Sequence, residues 1–341
     1  MVNPDAALIE RFRRDLEALT GERPDRAAPL GLAVSGGPDS LGLLLLAASA
    51  YPGAVKAATV DHGLRPEAAA EAALVGSLCD RLGVPHTNLT AGPNMTFGGN
   101  LQERARSARY LLLAQWGGSN TFLNRPPWRV THIATAHQRD DVAEGFLMRA
   151  RRGAGVGGLA AMSAMSRPMP TGGPPIVRPL LGWSRSELAA VVAEAGVQAA
   201  SDPSNVHPRF DRSRMRRLLA DEPDLPPARI ALAAQNLRHA EDALDWLSTR
   251  EWDARHVIED YENVRLDVAG LPYEVRRRLA RRAVDHVRFS LGALDGWRGA
   301  GLDRLVAALD RGEAGTLAHV AATLARDGRW RFSPAPPRRA R

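Results

Sequence analysis

Short apolar segments alternate with longer helical ones along the first half of the chain. Four short segments have the apolar, β-rich composition of buried strands: GLAV at 31–34, VKAATVDH at 55–62, VPHTNL at 84–89 and VTHIATAH at 130–137. Between them lie runs with the length of helices, such as LGLLLLAASA and NLQERARSARYLLLAQW. Alternating strands and helices predict an α/β fold with a doubly wound, mainly parallel sheet.

From about Leu225 the pattern becomes that of one long helix. In IALAAQNLRHAEDALDWL, residues 230–247, apolar side chains recur at the spacing of a helical face. A length of 341 residues indicates about two domains. We expect a larger N-terminal domain over 1–222, a linker helix with a smaller α-rich domain over 223–333, and a disordered basic tail over 334–341.

The first strand and its helix are joined by SGGPDS, residues 35–40. Gly36 and Gly37 permit backbone conformations and close approaches that a Cβ would prevent, and Pro38 suits the first turn of a helix. The N–H groups at such a helix start attract an anion. A plain strand-to-helix turn is the alternative, but the hydroxyls of Ser35 and Ser40 favour a phosphate site.

Two other phosphate-binding loops are excluded. A Walker loop needs a lysine after its last glycine, and the chain has a single lysine, Lys56, outside any such loop. A dinucleotide fingerprint needs G-x-G-x-x-G directly after a strand, and the opening segment lacks that spacing. The glycine-rich RRGAGVGGL at 151–159 follows a helical pattern, so we interpret it as a flexible loop.

The charge balance indicates a polyanionic partner. The net charge is +7 and the pI is about 10.5, and cationic side chains bind nucleic acid by neutralising phosphates. A general compositional bias towards arginine is the alternative, but the basic residues occur in blocks at 212–217 and 276–282. The predicted RNA-binding residues are Arg212, Arg216, Arg217, Arg276, Arg277 and Arg278.

Several classes of protein do not fit the sequence. No apolar stretch reaches the roughly 18 residues of a membrane span, and the N-terminus lacks the apolar core of a secretory signal. The single cysteine, Cys79, excludes an internal disulfide and a multi-cysteine metal site. We therefore expect a soluble cytoplasmic protein without a membrane partner; the sequence leaves a homodimer open.

Candidate carboxylates follow the strand predicted at 130–137. In TAHQRDDVAE, Asp141 and Glu144 are three residues apart, so on a helix both lie on one face. Such a pair can hold Mg²⁺ or orient an amine, although a solvated helix face is the alternative. The ends of parallel strands meet at one edge of the sheet, so these carboxylates, SGGPDS and DHGLR (61–65) should converge.

These segments together resemble a known family. SGGPDS matches the SGGxDS signature of the PP-loop ATP pyrophosphatases. Over residues 30–219 the chain is similar to tRNA(Ile)-lysidine synthetases, whose other motifs appear here in the family's order: DHGLR, LGVPH, NLQERARSARY, TAHQRDDVAE, LMRARRGAGVGGLAAM, RPLL, DPSN and RFDRSRMRRLL.

The resemblance implies a catalytic N-terminal domain and a tRNA-binding C-terminal domain. In that family ATP adenylates the C2 carbonyl oxygen of the wobble cytidine in the CAU-anticodon isoleucine tRNA, and free L-lysine then replaces AMP. The implied ATP-binding residues are Ser35, Gly36, Gly37, Pro38, Asp39, Ser40, Asp61, His62 and Gly63. The implied catalytic residues are Asp39, Arg109, Asp141, Glu144 and Arg214, with Asp39 and Asp141 as ligands of Mg²⁺.

The chain departs from the family pattern beside the carboxylates. Gly145 stands where the family usually has threonine, and Gln138-Arg139 replaces the commoner His-Ala. Alternatives to lysidine synthesis are another PP-loop tRNA-modifying enzyme and a non-catalytic tRNA-binding protein. Cysteine-dependent thiolation is disfavoured because Cys79 lies in an apolar helical stripe.

Overall fold

The computed structural model describes residues 2–61, 67–90, 101–118, 129–166, 173–200, 211–293, 297 and 299–336, with the backbone alone for 67–68 and 101–104. Contacts divide the chain into two units, Met1–Arg238 and His239–Arg341. This division by contacts lies within α9 (Pro227–Arg255), whereas the predicted boundary at 222 precedes that helix. The first part of α9 belongs to the first unit, where Ala161 N–H donates to the carbonyl of Ala234 at 2.8 Å.

The first unit contains a six-stranded sheet of order β3-β2-β1-β4-β6-β5. Its strands are β1 (Leu30–Ala33), β2 (Val55–Asp61), β3 (His86–Thr90), β4 (Ile133–Thr135), β5 (Met165–Ser166) and β6 (Ile176–Val177). All neighbours pair in parallel except β5, which is antiparallel to β6. The predicted doubly wound, mainly parallel sheet is confirmed, although the strand expected at 130–137 is only three residues long.

Helices cover this sheet. They are α1 (Ala6–Thr20), α2 (Pro38–Ala50), α3 (Glu67–Leu82), α4 (Leu101–Trp116), α5 (Arg139–Ala150), α6 (Val156–Leu159), α7 (Arg185–Glu194) and α8 (Asp211–Asp221), followed by α9. The glycine-rich stretch expected to be a loop therefore includes the short helix α6. No helix in the described ranges is both long and apolar enough to cross a membrane.

The sheet is buried on both faces. Ala57 contacts a core formed with α1, α2, α3 and α7, whereas the next residue, Ala58, contacts a core formed with α4; successive side chains of a strand point to opposite faces. On the α4 side, a Cβ at Gly31 would lie 2.9 Å from the Trp116 ring. The absence of a side chain at Gly31 therefore lets α4 approach the central strand closely.

The second unit combines helices with an antiparallel sheet. Besides the end of α9 it contains α10 (Tyr273–Ser290) and α11 (Leu302–Asp310). Its strands are β7 (His256–Ile258), β8 (Val264–Leu266), β9 (Gly315–Leu317), β10 (Val320–Leu324) and β11 (Trp330–Pro334), in the order β7-β8-β11-β10-β9. The helices match the prediction, but the sheet was not predicted; its strands are short, and some, such as VRL and WRFSP, are interrupted by arginine.

The first two residues of the predicted tail belong to the sheet of the second unit. Pro334 is the last residue of β11, and Ala335 N–H donates to the carbonyl of His319 at 2.8 Å. These two residues therefore extend the sheet instead of starting a disordered segment. Residues 337–341 lie outside the described part of the chain.

Candidate active site

The SGGPDS loop links β1 to the buried helix α2. Gly36 has a φ of +85°, a conformation that L side chains rarely adopt, and Gly37 is the N-cap of α2. The Ser40 hydroxyl donates to the carbonyl of Gly37 at 2.9 Å and accepts the N–H of Ser35 at 3.1 Å. The loop is thus held closed by its own residues, and the first-turn N–H groups of α2 remain available for an anion.

Asp141 and Glu144 lie on α5, as predicted, but they are buried. The Glu144 side chain has no exposed surface, and that of Asp141 is 10% exposed. Asp141 also caps the helix, since its Oδ2 accepts the N–H of Gln138 at 3.1 Å. The alternative of a solvated surface pair is therefore wrong.

Three arginines surround this pair. Arg212 donates to Asp141 at 2.6 Å and to Glu144 at 2.7 Å. Arg185 donates to Glu144 at 2.8 Å, and Arg216 does so at 3.0 Å. We call these five side chains the pocket cluster. Arg212 and Arg216, which the sequence suggested as RNA-binding, thus bond to the carboxylates on α5 in this structure.

Burial and charge act in opposite directions on the two carboxyl groups. Burial alone would raise the pKa of Glu144, but the hydrogen bonds and charges of Arg212 and Arg185 outweigh it and lower that pKa. Burial raises the pKa of Asp141 against the opposing charge of Arg212, and neighbouring Glu144 raises it further. The arginines therefore favour the ionised form of Glu144, whereas burial disfavours that of Asp141.

The carboxylate of Asp39 differs from this pair because one of its oxygens, Oδ1, is buried and has no hydrogen-bond partner among the described residues. Burial, followed by the nearby charge of Asp141, raises the pKa of Asp39 to about 6. A buried acceptor of this kind is costly unless a ligand satisfies it, so Asp39 marks a place for a cation or a donor.

All these groups meet at one cavity of about 360 Å³. Its wall includes the SGGPDS loop apart from Gly36, the ends of β1 and β4, and residues of α4, α5, α7 and α8. The charged residues in the wall are Asp39, Arg109, Asp141, Arg185, Arg212 and Arg216. The predicted convergence of the loop with the α5 carboxylates at the edge of the sheet is thus observed, although Glu144 lies behind the wall.

His137 contributes a neutral imidazole to the cavity wall. Its Nδ1 lies 3.0 Å from the hydroxyl oxygen of Thr135. Burial, followed by the charge of Arg178, lowers the pKa of His137 to about 3. The ring can therefore donate or accept a hydrogen bond near neutral pH without carrying charge.

Other predicted residues lie elsewhere. Arg214 is at the surface of α8, 2.5 Å from Asp211, and is not among the described residues that line the cavity. Arg217 is exposed on the same helix. Asp61 ends β2 and is likewise not in the cavity wall, and His62 and Gly63 lie outside the described residues.

The basic block at 276–278 is paired with acids of its own unit. Arg276 lies 2.6 Å from Asp310, and Arg277 lies 2.6 Å from Asp303. Arg278 contacts three carboxylates, those of Glu241, Asp245 and Glu274. We call these three arginines and their five acids the α10 cluster.

Sequence reasoning missed Arg185. It is the first residue of α7, after the N-cap Ser184, and its backbone N–H donates to Asp140 at 3.1 Å. Nothing in the local sequence distinguishes it from an ordinary arginine near a helix start. The only available signal was its position close to a family motif, because RPLL ends three residues before Ser184.

Comparison with known proteins agrees with this geometry. A family model described as the PP-loop domain matches residues 8–222. The tRNA(Ile)-lysidine synthase of Zymomonas mobilis is 42% identical over 318 residues, which cover 91% of this chain and 89% of the relative. That of Novosphingobium aromaticivorans is 40% identical over 329 residues, covering 96% and 94%. The chain therefore belongs to the tRNA(Ile)-lysidine synthase family.

Among solved structures, a similar fold occurs in the U34-tRNA thiolase NcsA from Methanococcus maripaludis. The TM-score is 0.52 at 18% sequence identity, and the match covers 68% of this chain and 80% of the thiolase. At this identity the likeness concerns the fold alone. The family and fold predicted from the sequence are thus confirmed.

Proposed function

We propose that this chain is a ligase that joins free L-lysine to C2 of the wobble cytidine in the CAU-anticodon isoleucine tRNA, with ATP as the activating substrate. The observation that carries the proposal is the convergence in one cavity of the SGGPDS loop, two carboxylates and four guanidinium groups. Family membership supports the same reaction. The products are lysidine in the tRNA, AMP and pyrophosphate.

The loop and the arginines provide a site for the polyphosphate of ATP. First-turn N–H groups of α2 and the Ser35 hydroxyl would face an anion bound at this helix N-terminus. Arg109, Arg185 and Arg216 add positive charge to the same cavity. Each guanidinium group can donate two parallel hydrogen bonds to two oxygens of a phosphate. Asp61, His62 and Gly63 are proposed to lie near the adenosine, and Arg214 near a phosphate, by family resemblance only.

Mg²⁺ fits this set of donors. The described residues contain no group of three His, Cys, Asp or Glu that could hold a metal by themselves, whereas Mg²⁺ beside ATP commonly uses one or two carboxylates together with phosphate oxygens. The unpartnered Oδ1 of Asp39 is the principal candidate ligand, and Asp141 is a second. The ion would neutralise charge on the departing pyrophosphate.

The reaction then has two displacements. The C2 carbonyl oxygen attacks the α-phosphorus of ATP and expels pyrophosphate, which turns that oxygen into part of an AMP leaving group. The lysine amine, in its neutral form, attacks C2, the C2–O bond breaks with AMP as the leaving group, and the nitrogen gives up one proton to solvent. Asp141 is proposed to orient the amine, and the neutral ring of His137 can hydrogen-bond to the cytosine without adding charge.

The tRNA is the polyanion that the net charge of +7 indicated. We propose that the second unit contributes to its binding, as family resemblance implies. Exposed Arg217 on α8 is available to phosphates, whereas the α10 cluster would first have to give up its internal pairs. A cytoplasmic location and a homodimer stay predictions.

The decisive experiment follows AMP release with all components and with each omitted. We expect AMP to form at an appreciable rate only with ATP, the tRNA and lysine together, and mass spectrometry of the digested tRNA to show cytidine plus lysine minus water. Transcripts with a guanosine at the wobble position serve as the control. AMP formation without lysine incorporation would instead indicate a different PP-loop modification.

A tRNA-binding protein without activity is the alternative from another class; it would bind the tRNA and release no AMP. Thiolation that relies on a protein cysteine has little support, since burial raises the pKa of the Cys79 thiol to about 12. A thiol of that pKa forms hardly any thiolate near neutral pH.

A further inference from the structure

The carboxylate pair on α5 is fully engaged by the chain's own arginines. Oε1 of Glu144 accepts from Arg185 and Arg216, and Oε2 accepts from Arg212. Oδ1 of Asp141 accepts from Arg212 at 2.6 Å, and Oδ2 accepts the backbone N–H of Gln138. Every carboxylate oxygen of the pair therefore already has a donor.

An ammonium group that joined this arrangement would add a positive charge beside three guanidinium groups. Three positive charges already face two carboxylates, and a fourth would meet like charges at close range. Arg212 is the most exposed of the three, with 47% of its side chain accessible. Its departure would free Oε2 of Glu144 and leave Oδ1 of Asp141 with only the long contact to Arg185, at 3.5 Å.

The same three arginines line the cavity that contains the SGGPDS loop. Arg185 and Arg216 are near enough to Asp39, in the first turn of α2, to favour its ionised form. A polyphosphate bound at that helix start would carry several negative charges and offer pairs of oxygens to guanidinium groups. It would therefore compete with the carboxylates for the arginines.

We propose that ATP and lysine bind with positive coupling because the polyphosphate draws arginines of the pocket cluster, above all Arg212, away from Asp141 and Glu144. The lysine ammonium then takes the released carboxylate oxygens. Without nucleotide the lysine site is filled by the chain's own cations. This inference rests on the proposed function, since it requires that the cavity bind both substrates.

The test is equilibrium dialysis of radiolabelled L-lysine against the full chain. The Kd of lysine is measured alone, with Mg²⁺ and α,β-methylene-ATP, and with Mg²⁺ and inorganic pyrophosphate. We expect the nucleotide analogue to lower the Kd by about tenfold or more, within the roughly 5- to 150-fold range of typical coupling. Pyrophosphate should reproduce much of this effect if phosphate charge is its cause.

Linkage supplies a second measurement on the same protein. Saturating lysine must lower the Kd of α,β-methylene-ATP by the same factor. In the variant Arg212→Gln, lysine should bind more tightly in the absence of nucleotide, and the coupling factor should shrink towards one. Arg229→Gln removes the same charge from an exposed position on α9 and should keep the full coupling; thermal melting confirms that both variants are folded.

The outcomes separate the inference from the function on which it rests. Lysine that binds equally well with and without nucleotide would overturn the coupling and leave the proposed reaction intact. Weaker binding of lysine to Arg212→Gln would also overturn it, since Arg212 would then be a lysine ligand. Failure of lysine to bind under any of the three conditions would contradict the lysine site itself.

Discussion

The pocket cluster and the α10 cluster are built from the same residue types but differ in burial. In the pocket cluster three arginines converge on two buried carboxylates, and Glu144 has no exposed surface. The α10 cluster is more exposed on the whole: the side chains of Asp303 and Asp245 are 66% and 62% exposed, although the pair of Arg278 with Glu241 is largely buried. The first arrangement places charge in a cavity, whereas the second joins α10 to α9 and α11.

The difference determines what each cluster can do. Charges removed from water interact strongly, and a ligand can exploit them only by replacing one of the partners. Exposed pairs contribute little to stability because water and salt screen them. A run of arginines in a sequence therefore does not reveal whether it forms a ligand site, a structural contact between helices or a nucleic-acid-binding surface. The burial of the acids that pair with the arginines determines which of these it is.

The largest expected effect is that of Asp39→Asn, which removes the cavity carboxylate whose Oδ1 has no hydrogen-bond partner among the described residues. We expect AMP formation to fall about 10²- to 10³-fold, the loss typical of removing one electrostatic stabiliser. The affinity for tRNA should change by no more than a few fold, because we propose that the loop binds the polyphosphate of ATP and not the RNA. Filter binding is the matching measurement, and an equal loss of tRNA affinity would contradict this assignment.

Glu144→Gln tests how much the buried pocket cluster contributes to the stability of the first unit. It keeps the volume but removes the charge that three guanidinium groups share. Breaking a buried pair typically costs about 3–5 kcal/mol, and we expect about 3 kcal/mol because the arginines can turn towards solvent. The melting temperature of the first unit should drop by about 6–12 °C, and an unchanged melt would mean that the cluster adds nothing to folding.

The pH dependence of activity tests Asp39 in the intact protein. Its pKa is raised to about 6, so kcat/KM for ATP should fall about tenfold per pH unit below that value if the ionised form is required. Its contribution to stability has the opposite sign. Because folding raises this pKa above the ordinary 3.8, protonation favours the folded state as pH falls from about 6 towards 4.

Asp39→Asn provides the control for both pH effects. The residual activity of this variant should not fall as the pH drops below 6. Its free energy of unfolding should also lack the increase expected for the wild-type protein between pH 6 and pH 4. An acid limb that persists unchanged in this variant would assign the ionisation to another group.

A smaller effect is expected for the triple variant Arg276→Gln, Arg277→Gln, Arg278→Gln. Three free phosphate contacts would contribute roughly 2 to 3 to the slope of log K against log salt. Since each arginine is engaged by an acid, we expect the slope for tRNA to change by less than about 1. A change of the full size would support the sequence-based prediction that this block binds RNA.

The smallest effect is expected for Asp303→Asn, the exposed counterpart of Glu144→Gln. Both variants remove a carboxylate charge that faces arginine at 2.6–2.8 Å. Loss of the exposed pair should lower the free energy of unfolding by less than about 1 kcal/mol, as urea denaturation would measure. A loss as large as that of the Glu144 variant would remove the distinction between the clusters.

Local pattern predicted much of the first unit because its elements carry their own signals. The strand, loop and helix around SGGPDS follow from continuous apolar runs interrupted by glycine and proline. The three-residue spacing of Asp141 and Glu144 correctly placed both on one helix face. The second sheet was missed because its strands are short and some of them, such as VRL at 264–266 and WRFSP at 330–334, are interrupted by arginine.

Contacts between distant segments could not be derived in this way. Arg185 is 44 residues from Asp141 and 41 from Glu144 in the chain, and only the placement of α7 beside α5 brings them together. For the same reason Arg212 and Arg276 belonged to similar basic blocks in the sequence and yet have different surroundings. The role of such residues depends on tertiary structure.

Gly31 illustrates a constraint on sequence change that acts at a distance from the cavity. A methyl group at this position would lie 2.9 Å from the Trp116 ring and 3.1 Å from Val130, so alanine would push α4 away from the central strand. Arg109, about two turns earlier on α4, reaches the cavity from that helix. If Arg109 must reach the cavity for function, substitutions at position 31 that displace α4 should be selected against, although Gly31 is not itself in the cavity wall.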